Sequence, residues 1–346
     1  MKRSVLACFL TLMMLLTLTA CGGETDSQGQ TSFLGKAAGL EETAVLLTVD
    51  GREVPAWRYL YWLAYTCDRI REQYAESGLE PDWESPLSGG TLADYARDQA
   101  LADTVLYATV ENWAEQYGCQ LTEEDRTALA EQWEENAAGH GGEDAYLQEL
   151  ADLGLDRERA EELAGVGRMY AKLYALYETA GSALAPTGED LKAYGDAQSY
   201  LTVDRILISA GEDREAARQR ASELFSRLNT ASDQGTEFST LAADSDDKTG
   251  PRTLKPGEGT LDPALEEAAA ALAEGQCSGI LESDEGFSIL RRLPTDTDSL
   301  KDTYFDSLLQ NAAENAAVET ADTYKKLETG SFYEKLRDMR ETSRNP

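Results

Sequence analysis

The 346-residue sequence carries 64 acidic against 31 basic side chains, for a formal net charge of −33, and a single histidine. That excess of negative charge repels phosphate backbones and anionic lipid, so nucleic-acid binding is excluded as a function class. The lone His140, in the loop-like Ala-Gly-His-Gly-Gly, and the lack of any CxxC exclude zinc-hydrolase chemistry and schemes that need a histidine base, and no metal or other cofactor is expected.

In chain order, Lys2 and Arg3 precede an uncharged run from Val5 to Ala20 that ends on Leu18-Thr19-Ala20-Cys21. This is the layout of a signal peptide over 1–20, and the run is short of the roughly 20 residues of a permanent span. Leu-Thr-Ala-Cys resembles a bacterial lipobox, which implies that the Cys21 sulfur is diacylated and the chain cut just before it. Two acyl chains anchor stably where one does not, so the protein is expected on the outer face of the cytoplasmic membrane, lipid-anchored. Residues 21–42, rich in Gly, Ser, Thr and Gln, are expected to be a flexible tether.

Val45 to Val49 predicts a short strand, Asp50-Gly51 a turn, and Glu53-Val54-Pro55 the opening of a helix with Trp57, Tyr61 and Tyr65 on one side. A second helix is predicted over Thr91 to Tyr117, and Thr122-Glu-Glu-Asp125 reads as a capping box that starts a third. Asp156 to Tyr177 is again helical, with Leu163, Met169, Tyr170, Leu173 and Tyr177 in one stripe. Tyr170, Tyr174 and Tyr177 at this spacing read as core, with a groove gripping extended apolar segments as the alternative. Residues 43–195 are thus a mostly helical domain. Cys67 and Cys119 lie in or beside these helices, so a bridge between them is possible, and buried free thiols are the simpler expectation.

Residues 196–296 read differently. Leu201 to Ile208 has strand composition, Arg214 to Leu228 is an amphipathic helix, and Glu237 to Ala243 and Asp262 to Ala273 are shorter ones. Gly279 to Glu282 and Gly286 to Arg292 then predict two strands, so this segment is an α+β domain. Helical periodicity returns from Leu300 to Leu336 within 297–346. The economical arrangement packs the two helical flanks together, with the α+β domain as an insertion.

Several landmarks of the middle segment lie in register with a known family: Arg205-Ile-Leu-Ile208, Glu237-Phe238 through Asp247, Leu265-Glu-Glu-Ala-Ala, Leu272-Ala-Glu-Gly275 and Glu285-Gly286-Phe-Ser-Ile-Leu290. Together they resemble a parvulin-type (PpiC-like) peptidyl-prolyl isomerase domain. With the opening Leu-Thr-Val-Asp-Gly-Arg-Glu-Val and the helical flanks, the chain resembles the PrsA and SurA extracytoplasmic foldases. The resemblance implies a SurA-like helical chaperone domain with a parvulin-like insertion. It also implies unfolded secreted proteins and their X-Pro segments as partners. Prolyl isomerisation crosses a barrier of about 20 kcal/mol set by amide resonance and needs no cofactor.

Carried over by position, the resemblance implies Asp247, Arg205 and Ser288 at the catalytic centre, Leu261 and Leu265 in the apolar pocket, and Ser283 and Phe287 near its rim. Arg205 and Ser288 stand where the family has histidines, and Gly250-Pro-Arg-Thr-Leu254 replaces the family's Gly-Asp-Leu-Gly turn. A buried cation needs an acid, so an Arg205–Asp247 pair that fills part of the pocket floor and weakens isomerase activity is expected. A holdase whose parvulin module is only a scaffold is the alternative. A solute-binding lipoprotein would instead show repeated strand–helix units, which the helix-rich flanks argue against.

Overall fold

The computed structural model describes residues 33–344, so the predicted signal peptide, Cys21 and the first part of the tether lie outside the described residues. The chain divides into two compact units, one of residues 33–185 with 306–344 and the other of Pro186–Phe305. The second unit is therefore wider at both ends than the segment 196–296 read from sequence.

In the first unit, strands β1 (Val45–Val49) and β2 (Arg52–Pro55) form an antiparallel hairpin. Asp50 and Gly51 at its tip both take positive φ, 49° and 85°, the conformation that a two-residue hairpin turn with strand-matched twist requires. Glu53–Pro55 thus belongs to a strand rather than to the start of a helix, and the helix begins at Ala56. Val318–Thr320 adds a third strand, antiparallel to β1, so both flanks of the chain meet in one sheet. That strand interrupts the helix predicted over 300–336, which divides into Lys301–Glu314, Asp322–Lys325 and Thr329–Arg344. A further short hairpin pairs β3 (Pro86–Leu87) with β4 (Gly90–Thr91).

The helices Leu92–Gln116 and Glu123–Gly139 open on capping boxes, in which Thr91 and Thr122 cap the N–H groups of Asp94 and Asp125 and receive a bond in return. Each such cap stabilises its helix by about 1 kcal/mol. The core of this unit is aromatic: Tyr59, Trp62, Tyr177 and Phe332 are fully buried. Tyr177 is therefore core, while Tyr170 and Tyr174 are half-buried and Tyr170 Oη donates to Asp306 at 2.7 Å. Arg58 is buried among Glu111, at 2.6 Å, and Glu162, so its charge is compensated twice. Cys67 and Cys119 are free thiols, as is Cys277 in the second unit.

Phe33–Ala38 is a helix whose Leu34 is fully buried, and its Gly35 N–H donates to Glu42, which in turn pairs with Arg159 at 2.8 Å. The tether expected over 21–42 is corrected at its C-terminal end: the short Phe-Leu-Gly-Lys-Ala-Ala carries enough apolar surface to dock.

The second unit opens with the Gly188–Gln198 helix, capped by a Thr187–Asp190 box. Its four-stranded antiparallel sheet has the order β6 (Arg252–Leu254), β5 (Leu201–Ser209), β8 (Gly286–Leu293), β7 (Leu281–Ser283). Helices Arg214–Thr230 and Gln234–Ala243 pack on one face over Ile206, Ile208, Phe287 and Ile289. The other face carries Leu201, Val203, Leu254 and Leu290, which pack with Leu261 and with Leu265 of the Pro263–Ala271 helix. Alternation along a strand separates these two clusters.

Candidate functional site

Register places the predicted residues. Arg205 pairs with Leu290, Leu207 with Ser288, and Ser288 with Leu281, so Arg205, Ser288, Leu281 and Leu290 share the face of Leu201 and Val203. β6 adds Arg252 and Leu254 to that face, opposite Val203 and Leu201. Asp247 arrives from the loop after the Gln234–Ala243 helix, which Ser245 ties to β5 by accepting the Leu207 N–H at 2.8 Å. Asp246 accepts the Ser209 N–H at 2.8 Å and completes the attachment.

The guanidinium of Arg205, 6% exposed, lies at the centre. Its Nε donates to Ser288 Oγ at 3.0 Å and its Nη2 to Glu285 at 2.5 Å. Asp247 is 3.7 Å from Nη1, within ion-pair reach and beyond hydrogen-bond length. The expected Arg205–Asp247 pair is present, but Glu285 and Ser288 are the nearer partners. Asp247 is instead held by Arg252, in direct hydrogen-bond contact, and by the Thr249 N–H at 3.0 Å. Burial opposes the Asp247 charge, yet the Thr249 bonds and Arg252 outweigh it and hold its carboxyl below the usual range. Arg205 and Arg252 thus face Glu285 and Asp247 on a side of the sheet that also carries Ser288, Arg292 and the apolar Leu201, Val203, Leu254 and Leu290.

The structure brings Arg205, Ser288, Asp247, Leu261 and Leu265 to this one face, and Ser283 follows at the end of β7 with its Oγ buried and without a hydrogen-bond partner among the described residues. Leu265, with no exposed surface, is core beneath the site rather than an open pocket wall. Phe287 is corrected more sharply: it pairs with Ile208 on the opposite face, where Arg214 and Arg218 lie 5.2 and 5.3 Å over its ring. The hairpin register fixes this, because Phe287 and Ser288 are neighbours and must point to opposite sides. Sequence reasoning missed Glu285 and Arg252. Both are charges beside strand residues, and the unread strand β6 is what turns Arg252 inward. Among the described residues, no cluster of three or more His, Cys, Asp or Glu side chains is placed to hold a metal ion.

Two helices thus cover one face of the antiparallel four-stranded sheet and a short helix covers the other. Residues 205–293 match the family model of the PPIC-type PPIASE (rotamase) domain. The match runs from Arg205, in the middle of β5, to Leu293 at the end of β8. No curated protein matches the chain. Among solved structures, PrsA from Bacillus cereus is similar at 16% identity and a TM-score of 0.27, covering 87% of this chain and 93% of its own. PrsA from Bacillus subtilis is similar at 14% and 0.26, covering 75% and 93%. A SurA-like chaperone from Campylobacter jejuni follows at 10% and 0.26, covering 80% and 99%.

Proposed function

We propose that the protein is a foldase-type chaperone for exported proteins, held on the extracytoplasmic face of the membrane through a lipidated Cys21, with weak prolyl isomerase activity in its PPIC-type domain. The observation that carries the reading is the buried Arg205 cluster on the β5 face. Isomerisation requires an apolar seat for the proline ring and a site that favours the twisted amide over the planar one. Here the centre of that face holds a guanidinium with Glu285 and Ser288 bonded to it, and Leu261 and Leu265 are closed over the floor. A ring entering this site must displace charged groups from their partners, which costs more than displacing a neutral side chain. Extended segments of unfolded chains are the expected clients, with proline segments reaching the PPIC-type domain.

The test is turnover of a proline-containing peptide by the full chain, alongside suppression of aggregation of an unfolded secreted protein. Slow turnover with clear suppression is expected. Turnover at the rate of an ordinary parvulin overturns the weak-activity reading, and the absence of both activities overturns the foldase reading.

A further inference from the structure

The site's apolar floor depends on a segment with little structure of its own. Lys255 to Leu261, Lys-Pro-Gly-Glu-Gly-Thr-Leu, joins β6 to the Pro263–Ala271 helix and contains no regular element, yet it delivers Leu261 against Leu254, Leu265 and Leu290. Gly257 and Gly259 of this segment take positive φ, 92° and 78°, a conformation that residues with side chains rarely adopt. Its N–H groups turn inward, and an inward N–H needs an acceptor.

That acceptor is one carboxylate. Glu266, on the first turn of the Pro263–Ala271 helix and 2% exposed, accepts the Gly257 N–H at 2.6 Å and the Gly259 N–H at 3.4 Å through Oε2, and the Leu261 N–H at 2.9 Å through Oε1. Burial opposes the charge on Glu266, but the N–H groups of Leu261, Gly257 and Gly259 outweigh it and hold the carboxyl below its usual range. No guanidinium or ammonium group hydrogen-bonds to it among the described residues, so its charge is spent on the backbone of this loop.

We propose that Glu266 is a positioning residue for peptide binding: it fixes the 255–261 loop so that Leu261 completes the apolar floor beside Arg205. This rests on the reading of the β5 face as the peptide-binding face. Glu266 touches no substrate and acts through Leu261. Glu266→Gln keeps the side chain's length but replaces one accepting oxygen with an amide nitrogen that donates, so an N–H of the loop meets another N–H.

The experiment titrates the full chain, wild type and Glu266→Gln, with a short proline peptide and follows backbone amide resonances. Peptide affinity is expected to weaken about tenfold, as is the exchange protection of the Gly257 and Leu261 amides, a size one lost charge-assisted bond accounts for. The Ile206 and Ile289 amides, in the sheet centre, should keep their protection, which separates a loop effect from general loss of fold. Gly257→Ala, which strains the loop at its positive φ and leaves the Glu266 side chain itself unchanged, should weaken binding in the same way even if Glu266→Gln fails to fold. Unchanged affinity in both variants, with the wild type binding, overturns the role of Glu266 alone. A wild type that shifts no resonance on the β5 face overturns the binding reading itself and this role with it.

Discussion

Removing the Asp247 carboxylate separates the two arginines that face it. Asp247→Ala strips a side chain that is 9% exposed and accepts from Thr249 at 3.0 Å and from Arg252. A hydrogen bond to a charged group contributes about 1.5–3 kcal/mol, so a loss of about 3 kcal/mol is expected in the second unit. The sequence alone suggests that Arg205 would suffer, but Arg205 keeps Glu285 at 2.5 Å and Ser288 at 3.0 Å, whereas Arg252 loses its close partner. Double-mutant cycles distinguish the two. Asp247→Ala with Arg252→Met should show a coupling of about 1.5–3 kcal/mol, and Asp247→Ala with Arg205→Met less than about 1 kcal/mol, since 3.7 Å is beyond hydrogen-bond reach. Stability is read from native-state hydrogen exchange of the Ile206 and Leu207 amides in the full chain, which reports on this unit separately. A carboxyl held low in the folded state stabilises fully above its unfolded value and stops doing so as pH falls through the folded one. The difference between wild type and Asp247→Ala should therefore begin to shrink below about pH 4 and go on shrinking as pH falls through the lower folded value. A coupling to Arg205 larger than that to Arg252, or a difference that stays the same in acid, refutes the assignment.

Further outcomes follow from other parts of the chain. Burial pushes the Asp103 carboxyl up to about 6, with Arg69 opposing; its protonated form is favoured by folding, so this contribution is complete below about pH 4 and is lost as pH rises through 6. Asp103→Asn should accordingly raise stability at pH 7.5 by at most about 3 kcal/mol and leave it unchanged at pH 4, as checked by urea denaturation at both values. Cys21→Ser should leave the protein exported without a lipid-dependent membrane fraction, and a variant as membrane-bound and as fully processed as the parent contradicts the anchor. Replacing Pro186–Phe305 with a short Gly/Ser linker should leave a helical, protease-resistant first unit, since both flanks share the sheet of β1; loss of the helical circular dichroism signal argues against an independent core. Arg205→His with Ser288→His should raise turnover of a proline peptide by about tenfold or more, because neutral groups then replace the cation at the floor; unchanged or slower turnover removes the link between Arg205 and weak activity.

Where a local pattern decides an element, the sequence was a sufficient guide. The Arg214–Thr230 helix, β5 and β8 follow from apolar periods of 3.6 and 2, and Thr122-Glu-Glu-Asp125 marks its helix start by hydrogen bonding within four residues. Elements that exist because of a distant partner were not legible. Val318–Thr320 is only three residues inside a longer helical periodicity, and it becomes a strand because β1 offers it an open edge. Arg252–Leu254 is three residues long, and only its pairing with Leu201–Val203 makes it a strand. Glu53–Pro55 reads as a helix start until the Asp50-Gly51 turn folds it back on β1.

The site divides along the same line. In Leu201-Thr-Val-Asp-Arg-Ile-Leu-Ile the alternation puts Arg205 on the stripe of Leu201 and Val203, so a cation facing an apolar cluster, and its need for an acid, is readable from β5 alone. Which acid answers is not, because Glu285 reaches Arg205 through the turn between β7 and β8, and its position depends on the register of that hairpin with β5. The same register turns Phe287 away and Ser288 inward, a one-residue difference that a loose resemblance cannot fix but that inverts the role of both. The consequence is chemical. Where two neutral groups are expected from the family, this face holds Arg205 and Arg252 against Glu285 and Asp247, and each carboxylate is the close partner of a different arginine. Glu285 is 64% exposed, so water screens its pair with Arg205, whereas Asp247 is 9% exposed and also accepts the Thr249 N–H within its own loop.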